Sequence, residues 1–113
     1  MGNKFVVKNK DDMIKESTNE FGQNALMIAI NNKNKTQIEY LLNNDKYLNE
    51  QDNYGWSPII YSIHVGDISI IKMILEKNPN MSILTNEKIS ALQHAKNTRN
   101  QEIIELVSIN YSI

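Results

Sequence analysis

The sequence predicts an all-α protein built as a stack of helix-turn-helix units, and three observations support this prediction. Residues 52–84 read as a tight turn followed by two short helices, a unit too small to bury its own apolar faces. A matching pattern of glycine, small and apolar positions recurs about 33 residues away on both sides, a distance that we call the repeat length. Hydrophobic content of 41% and charged content of 22% are typical of a globular chain. We therefore expect one elongated domain with its core between successive units.

The middle unit has the clearest start and stop signals. Gly55 suits a tight turn because it has no Cβ atom. Ser57 is predicted to cap a helix whose first position holds Pro58, and Gly66 is a typical helix end. A second helix follows, and residues 78–79, Asn-Pro, end it. This helix is apolar on nearly all sides, as expected between two neighbours, through Ile68, Ile70, Ile71, Met73, Ile74 and Leu75.

Positions one repeat length apart carry matching residue types in three units. The matching sets are Gly22 and Gly55 in the turns, where the third unit has Lys88 in place of glycine, then Leu26, Ile59 and Leu92, then Ala29, Ser62 and Ala95, and then Leu41, Ile74 and Val107. The pattern predicts a domain over residues 19–113, divided into repeats at 19–51, 52–84 and 85–113.

The repeated unit resembles the ankyrin repeat, which has a turn, a T-P-L-H-x-A helix start and an apolar second helix. The matching residues are Asp52, Gly55, Ser57-Pro58-Ile59, Gly66 and Ile74-Leu75 in the middle unit, Gly22, Ala25-Leu26, Ala29, Leu41-Leu42 and Leu48-Asn49 in the first, and Ser90-Ala91-Leu92, Ala95 and Ile103-Ile104 in the third. The resemblance implies an ankyrin-repeat solenoid whose helix pairs are joined by finger-like β-turns. One departure is that Met27, Ile60 and Gln93 replace the histidine of the motif, so the Thr–His hydrogen-bond network of the family is expected to be missing.

The two ends of the chain are less regular. Residues 1–18 are interpreted either as an N-terminal capping segment or as a tail, because residues 5–7 lie one repeat length before residues 38–40 of an outer helix. In the third unit Arg99 stands at the position of Gly66, and Ser108 replaces an apolar residue. A terminal unit faces water on one side, so these changes indicate a C-terminal cap.

Composition and spacing argue against several classes of function. The chain has no cysteine, its four glycines are dispersed, and neither His64 nor His94 has a carboxylate at metal-ligand spacing. We therefore expect no enzyme activity, no cofactor and no metal, with both histidines ordinary helix residues. A net charge of −1 argues against nucleic-acid binding. No apolar run approaches the roughly 20 residues that span a membrane, and no secretory signal is recognisable, so a cytoplasmic location is expected.

The resemblance places recognition on the turn tips and on the exposed side of the inner helices. It implies a monomer that binds another protein through Phe21, Gln23, Asn53, Tyr54, Trp56, His64, Val65 and Ile89. Phe21 and Tyr54 are expected side by side with Trp56 next to them, as one exposed aromatic ridge. A second interpretation is that Phe21 and Tyr54 only pack adjacent turns together. Two alternative functions are a regulatory subunit that occludes an enzyme and a fragment of a longer ankyrin-repeat scaffold.

Overall fold

A computed structural model describes residues 18–111 of the chain. Its helices are α1 (Ala25–Asn31), α2 (Lys35–Leu41), a 3₁₀ helix (Asp45–Tyr47), α3 (Pro58–Val65), α4 (Ile68–Leu75), α5 (Ala91–Thr98) and α6 (Gln101–Tyr111). No strand occurs within residues 18–111, which confirms the all-α prediction. The interpretation of residues 1–18 as a cap or a tail concerns positions that lie, except for Thr18, outside the described residues.

The three helix pairs are equivalent. The inner helices α1, α3 and α5 begin one repeat length apart, as do the outer helices α2, α4 and α6. Each inner helix packs against the next inner helix and against its own outer helix. Gly22, Gly55 and Lys88 all adopt left-handed backbone conformations, with φ of 77°, 82° and 68°, so their predicted equivalence is confirmed.

We call the β-turn before each inner helix a finger. The first residue of each finger is polar, and its side chain closes the turn. The side-chain oxygens of Asn19, Asp52 and Thr85 each accept hydrogen bonds from the backbone N–H groups two and four residues further on, at 2.9–3.2 Å. Such local side-chain bonds mimic a backbone turn and order it. Each finger is therefore fixed by its own first residue.

Neighbouring fingers are also joined to one another by backbone hydrogen bonds. Asn53 N–H donates to the carbonyl of Phe21 at 2.9 Å, and Asn86 N–H donates to the carbonyl of Tyr54 at 2.9 Å. The amide of each asparagine adds a second bond, since Asn53 Nδ2 donates to the carbonyl of Glu20 and Asn86 Nδ2 to that of Asn53, both at 2.9 Å. The three fingers therefore form one continuous ordered edge.

The inner helices begin in two different ways. Asn24 Oδ1 accepts from Met27 N–H at 2.9 Å, and Ser90 Oγ accepts from Gln93 N–H at 3.0 Å, as helix caps do. Ser57 stands at the equivalent position, but its hydroxyl makes no capping bond and is buried without a partner. Ser57 therefore occupies the predicted cap position of α3, but the capping hydrogen bond from its side chain is missing. Pro58 occupies the first helical position as predicted, where its missing N–H leaves one fewer donor to satisfy.

The core lies between the inner and outer helices of successive units. Its buried side chains are mostly isoleucine and leucine, among them Leu26, Ile30, Ile38, Leu41, Ile59, Ile63, Ile70, Ile71, Ile74, Ile103 and Val107. The predicted burial of α4 is confirmed for Ile70, Ile71, Ile74 and Leu75. Ile68 and Met73 are only half-buried, so α4 keeps a partly exposed side.

Two inner-helix positions change character in the third unit. They hold apolar side chains with 0% exposure in the first two units and exposed polar ones in the third, namely Met27, Ile60 and Gln93 at one position and Ile30, Ile63 and Lys96 at the other. In each of the first two units the inner helix packs against the inner helix of the following unit. Gln93 and Lys96 thus give the outward face of the third unit the polar character that a terminal repeat requires.

Candidate interaction surface

The concave face is the surface formed by the fingers and the exposed sides of α1, α3 and α5. Side chains at equivalent positions form three rows across it, namely Gln23, Trp56 and Ile89 at the finger bases, Ile28, Tyr61 and His94 on the inner helices, and Asn31, His64 and Asn97 one helical turn further on. The rows follow from the regular repeat, since each unit presents the same positions in the same direction.

Four aromatic side chains meet at the centre of this face, and we call Trp56, Tyr61, His64 and His94 the Trp56 cluster. The ring centroid of half-buried Trp56 lies 5.3 Å from that of Tyr61, 5.1 Å from that of His64 and 5.0 Å from that of His94. The interplanar angles of 66° to 78° are edge-to-face arrangements, which aromatic pairs favour. The two imidazole centroids lie 6.0 Å apart.

A buried hydrogen-bond network holds the floor of the cluster in place. The hydroxyl of Tyr61 donates a hydrogen bond to the carboxylate of Asp52 and accepts one from Gln23 Nε2 at 2.8 Å. The other carboxylate oxygen of Asp52 accepts the backbone N–H groups of Tyr54 and Trp56, both at 2.9 Å. Burial of the phenol, together with its bond to Asp52, raises the pKa of Tyr61 to about 12. Tyr61 therefore remains a protonated donor at neutral pH.

The two histidines influence each other. Burial lowers the pKa of His94 below its ordinary value, and the nearby imidazole of His64 lowers it further. Within residues 18–111, the imidazoles of His64 and His94 and the indole N–H of Trp56 make no hydrogen bond to the protein. None of their nitrogen atoms is sealed from solvent without a partner. The cluster thus presents several open hydrogen-bonding atoms on an aromatic surface.

The predicted aromatic ridge is divided into two parts. Phe21 and Tyr54 lie at the finger tips, 45% and 60% exposed. The ring of Trp56 instead contacts rings of α3 and α5, and no ring contact joins it to Phe21 or Tyr54 among the described residues. The reason is that the Asp52 carboxylate binds the N–H of Trp56 and closes the finger, so this residue is held at the base rather than at the tip.

The other predicted site residues are placed differently from one another. His64 is exposed and contacts Trp56, while Val65 and Ile89 are half-buried. The amides of Gln23 and Asn53 are engaged within the protein, the first with Tyr61 and the second with the neighbouring finger. These two residues therefore hold the surface in shape. Contact of any of the eight residues with a partner stays a prediction.

Sequence reasoning missed Asp52, Tyr61 and His94 as parts of this surface. It interpreted both His64 and His94 as ordinary helix residues. The overlooked signal is that Tyr61 and His94 are one repeat length apart, whereas Tyr61 and His64 lie one turn apart on α3. Together these two spacings bring both histidines next to Trp56 at the base of the second finger.

Other surface features lie away from the concave face. A groove of about 400 Å³ runs between residues 78–82 and the end of α6, and one of about 220 Å³ lies between α2 and α4. Among the residues that the structure describes, no group of three or more histidine, cysteine or acidic side chains is placed to hold a metal ion. Over the same range, no helix has the length and apolar character needed to cross a membrane.

Comparison with known families agrees with this architecture. A family model for ankyrin repeats, in three copies, matches residues 3–85. The chain therefore belongs to the ankyrin repeat family, whose fold is a non-enzymatic interaction fold.

Two curated relatives match the sequence. One is an ankyrin repeat protein of Fowlpox virus (strain NVSL), FPV031, 29% identical over 107 residues that cover 90% of this chain and 31% of the viral protein. The other is "Ankyrin repeat, SAM and basic leucine zipper domain-containing protein 1" of Ornithorhynchus anatinus, 24% identical over 75 residues that cover 66% of this chain and 15% of that protein. The chain thus spans less than a third of the length of either relative.

Solved structures share the fold. An ankyrin repeat domain from Acinetobacter baumannii AYE superposes with a TM-score of 0.74 at 25% identity, covering 84% of this chain and 51% of that domain. The ankyrin repeat protein EF0377 superposes with a TM-score of 0.74 at 21% identity, covering 86% of this chain and 55% of its own. The prediction of an ankyrin-repeat solenoid is confirmed.

Proposed function

We propose that this protein is an interaction module that binds a partner protein through its concave face. Ankyrin repeats are generally protein-interaction modules, and that general role is the starting point. The observation that carries the proposal is the Trp56 cluster, in which one tryptophan, one tyrosine and two histidines meet on the concave face. Aromatic side chains are enriched among residues that dominate binding energy, because they bury a large rigid surface.

The rigidity of the fingers also supports binding by a preformed surface. Asn53 and Asn86 bond each finger to the one before it, and Asp52 fixes the loop that carries Trp56. A surface that is ordered before binding loses little conformational entropy when it docks. Phe21 and Tyr54 at the finger tips would then extend the contact beyond the Trp56 cluster.

Affinity capture tests this proposal. The whole chain is immobilised and exposed to a lysate of the source organism, and captured proteins are compared between wild type and a Tyr54→Ala, Trp56→Ala double variant. The matched control is Tyr40→Ala, which removes a 47% exposed aromatic from the outer helix α2. We expect the double variant to lose a partner that Tyr40→Ala retains, with both variants folded by circular dichroism. Retention of all captured proteins by the folded double variant would contradict the proposal.

Two narrower functions use the same surface. The chain could act as a regulatory subunit that covers an enzyme's active site, or as part of a longer scaffold. The second is favoured by the small share of each curated relative that the chain spans, 31% and 15%. Sedimentation separates them, since we expect a complete regulator to be monomeric and a fragment to self-associate through apolar surface at its N-terminal end. We also propose a cytoplasmic location and a repeat domain over residues 19–113.

A further inference from the structure

The Trp56 cluster carries more specific chemistry than a general aromatic contact, because it contains the only two histidines of the chain. Their imidazole centroids are 6.0 Å apart, one on α3 and the other on α5, and both rings contact Trp56. Neither histidine makes a side-chain hydrogen bond within residues 18–111. Two imidazoles at this distance, both in contact with the ring of Trp56, offer hydrogen-bonding nitrogen atoms at one place.

Neither imidazole is paired with a carboxylate in the described part of the chain. Two nearby imidazoles oppose each other's protonation, and the effect is present here because His64 lowers the pKa of His94. The charged residues on the surrounding elements are Asp52 in the second finger, Glu87 and Lys88 in the third, and Lys96 on α5. In the described part of the chain, none of these carboxylates forms an ion pair with either imidazole.

Asp52 is a candidate for an internal counter-charge because it bonds to Tyr61 of the same cluster, and both of its oxygens accept hydrogen bonds. One oxygen accepts the N–H groups of Tyr54 and Trp56, and the other accepts the hydroxyl of Tyr61. The contributions to the pKa of His94 come from burial and from His64 rather than from Asp52. No residue in the described range 18–111 therefore supplies a paired carboxylate to a protonated imidazole pair.

We infer that the Trp56 cluster is the subsite for an acidic side chain, Asp or Glu, of the partner protein, bound between His64 and His94. This inference rests on the proposed function and names the partner chemistry of the same surface. The carboxylate accepts hydrogen bonds from the imidazoles and favours their protonated form, while the residues next to it cover the ring of Trp56. Binding therefore takes up protons, and affinity rises as the pH falls through the imidazole range.

Selection from a random peptide library tests the inference although the partner itself is unidentified. A phage-displayed library is panned against the whole folded chain at pH 5.5 with EDTA present, so that metal bridging between imidazoles is excluded. Selected peptides are synthesised, and their affinities are measured at pH 5.5 and pH 7.5. The fluorescence of Trp56, the only tryptophan, reports binding at the cluster itself.

The expected result has three parts. Selected peptides share an Asp or Glu, and changing it to the matching amide removes most of the binding. Affinity is about fivefold higher at pH 5.5 than at pH 7.5, as a one-unit rise in an imidazole pKa on binding would produce across that range. The His64→Gln, His94→Gln double variant loses this pH dependence, and circular dichroism at both pH values verifies that it is folded.

Other outcomes separate this inference from the proposed function. Peptides that depend on Trp56 but carry Lys or Arg, or no charge, or that bind equally at both pH values, would overturn the carboxylate subsite and leave the concave face as the binding surface. Peptides that bind equally well to a folded Tyr54→Ala, Trp56→Ala variant would overturn the proposed function itself. A library that yields no binder would count against both.

Discussion

Two glycines with the same backbone conformation are expected to respond very differently to a single added methyl group. Gly55 in the second finger has φ of +82°, and Gly66 between α3 and α4 has φ of +80°. A Cβ atom at Gly55 would lie 2.6 Å from the backbone nitrogen of Asn86 in the next finger, whereas a Cβ at Gly66 would meet nothing nearer than the carbonyl of Ile63 at 4.0 Å. Comparing Gly55→Ala with Gly66→Ala therefore isolates the contact between fingers.

The magnitudes follow from these two contributions. Both alanines carry the penalty of a left-handed L-residue, about 1–2 kcal/mol. Gly55→Ala must in addition displace the backbone of Asn86, and overpacking of that kind adds about 1–3 kcal/mol. It also disturbs the 2.9 Å hydrogen bond from Asn86 N–H to the carbonyl of Tyr54. We expect Gly66→Ala to lower the free energy of unfolding by about 1–2 kcal/mol and Gly55→Ala by about 2–5 kcal/mol.

Urea denaturation measures both values. Far-ultraviolet circular dichroism follows the helices, the fluorescence of Trp56 follows the finger base, and linear extrapolation gives the free energy of unfolding. Lys88→Gly is a third variant, because Lys88 holds the same left-handed conformation, with φ of 68°. It should stabilise the protein by about 1 kcal/mol. Equal losses in Gly55→Ala and Gly66→Ala would refute the claim that the fingers are in close backbone contact.

Three further predictions concern stability. Ile74→Ala should lower the free energy of unfolding by about 2–5 kcal/mol, because Ile74 is fully buried between units, and an unchanged urea midpoint would show that α4 is not core. Asn24→Ala and Ser90→Ala should each lower the free energy of unfolding by about 1 kcal/mol through loss of a helix cap. Ser57→Ala should leave this free energy unchanged or raise it, because the Ser57 hydroxyl is buried without a partner. Equal losses in the melts of all three variants would contradict this prediction. Because the pKa of His94 is lower in the folded state, the unfolded chain binds more protons below pH 6.5, so stability should be complete above that pH and decline as the pH falls further. His94→Gln should reduce this decline in urea titrations between pH 7.5 and pH 5, and an unaltered slope would assign it to other groups.

Much of the fold could be predicted because it depends on the repeat. A unit that cannot bury its own apolar face needs neighbours, so the recurrence at a constant repeat length determines the helix pairs and the core positions between them. The backbone conformation at the position of Gly66 could not be predicted from the repeat, because the other two units have no glycine there. Its equivalents Lys33 and Arg99 also adopt left-handed conformations, with φ of 55° and 61°. The structure explains this, because a Cβ at that position points into open space.

The Trp56 cluster could be predicted only in part: the spacings of Tyr61, His64 and His94 place them on one face, but the position of the Trp56 ring depends on side-chain direction. A glycine followed by Trp56 indicates a turn, but only the hydrogen bond from Trp56 N–H to Asp52 shows that the ring lies at the base of the finger. Ser57 is similar, since its sequence position is that of a cap and only the orientation of its hydroxyl shows that no bond forms. Periodicity thus places residues on a face, whereas the contacts within that face are set by atoms that the pattern does not describe.

Site-specific photo-crosslinking tests most directly whether the concave face is the binding surface. A photoreactive phenylalanine is placed at Tyr54, 60% exposed at a finger tip, or at Tyr40, 47% exposed on α2, so that the two variants differ mainly in the face that carries the probe. Both are irradiated in a lysate of the source organism after their folding has been verified by circular dichroism. We expect a discrete protein adduct from position 54 that is lost when Trp56→Ala is added, and none of that size from position 40. The same adduct from position 40, or an adduct from position 40 alone, would contradict this expectation.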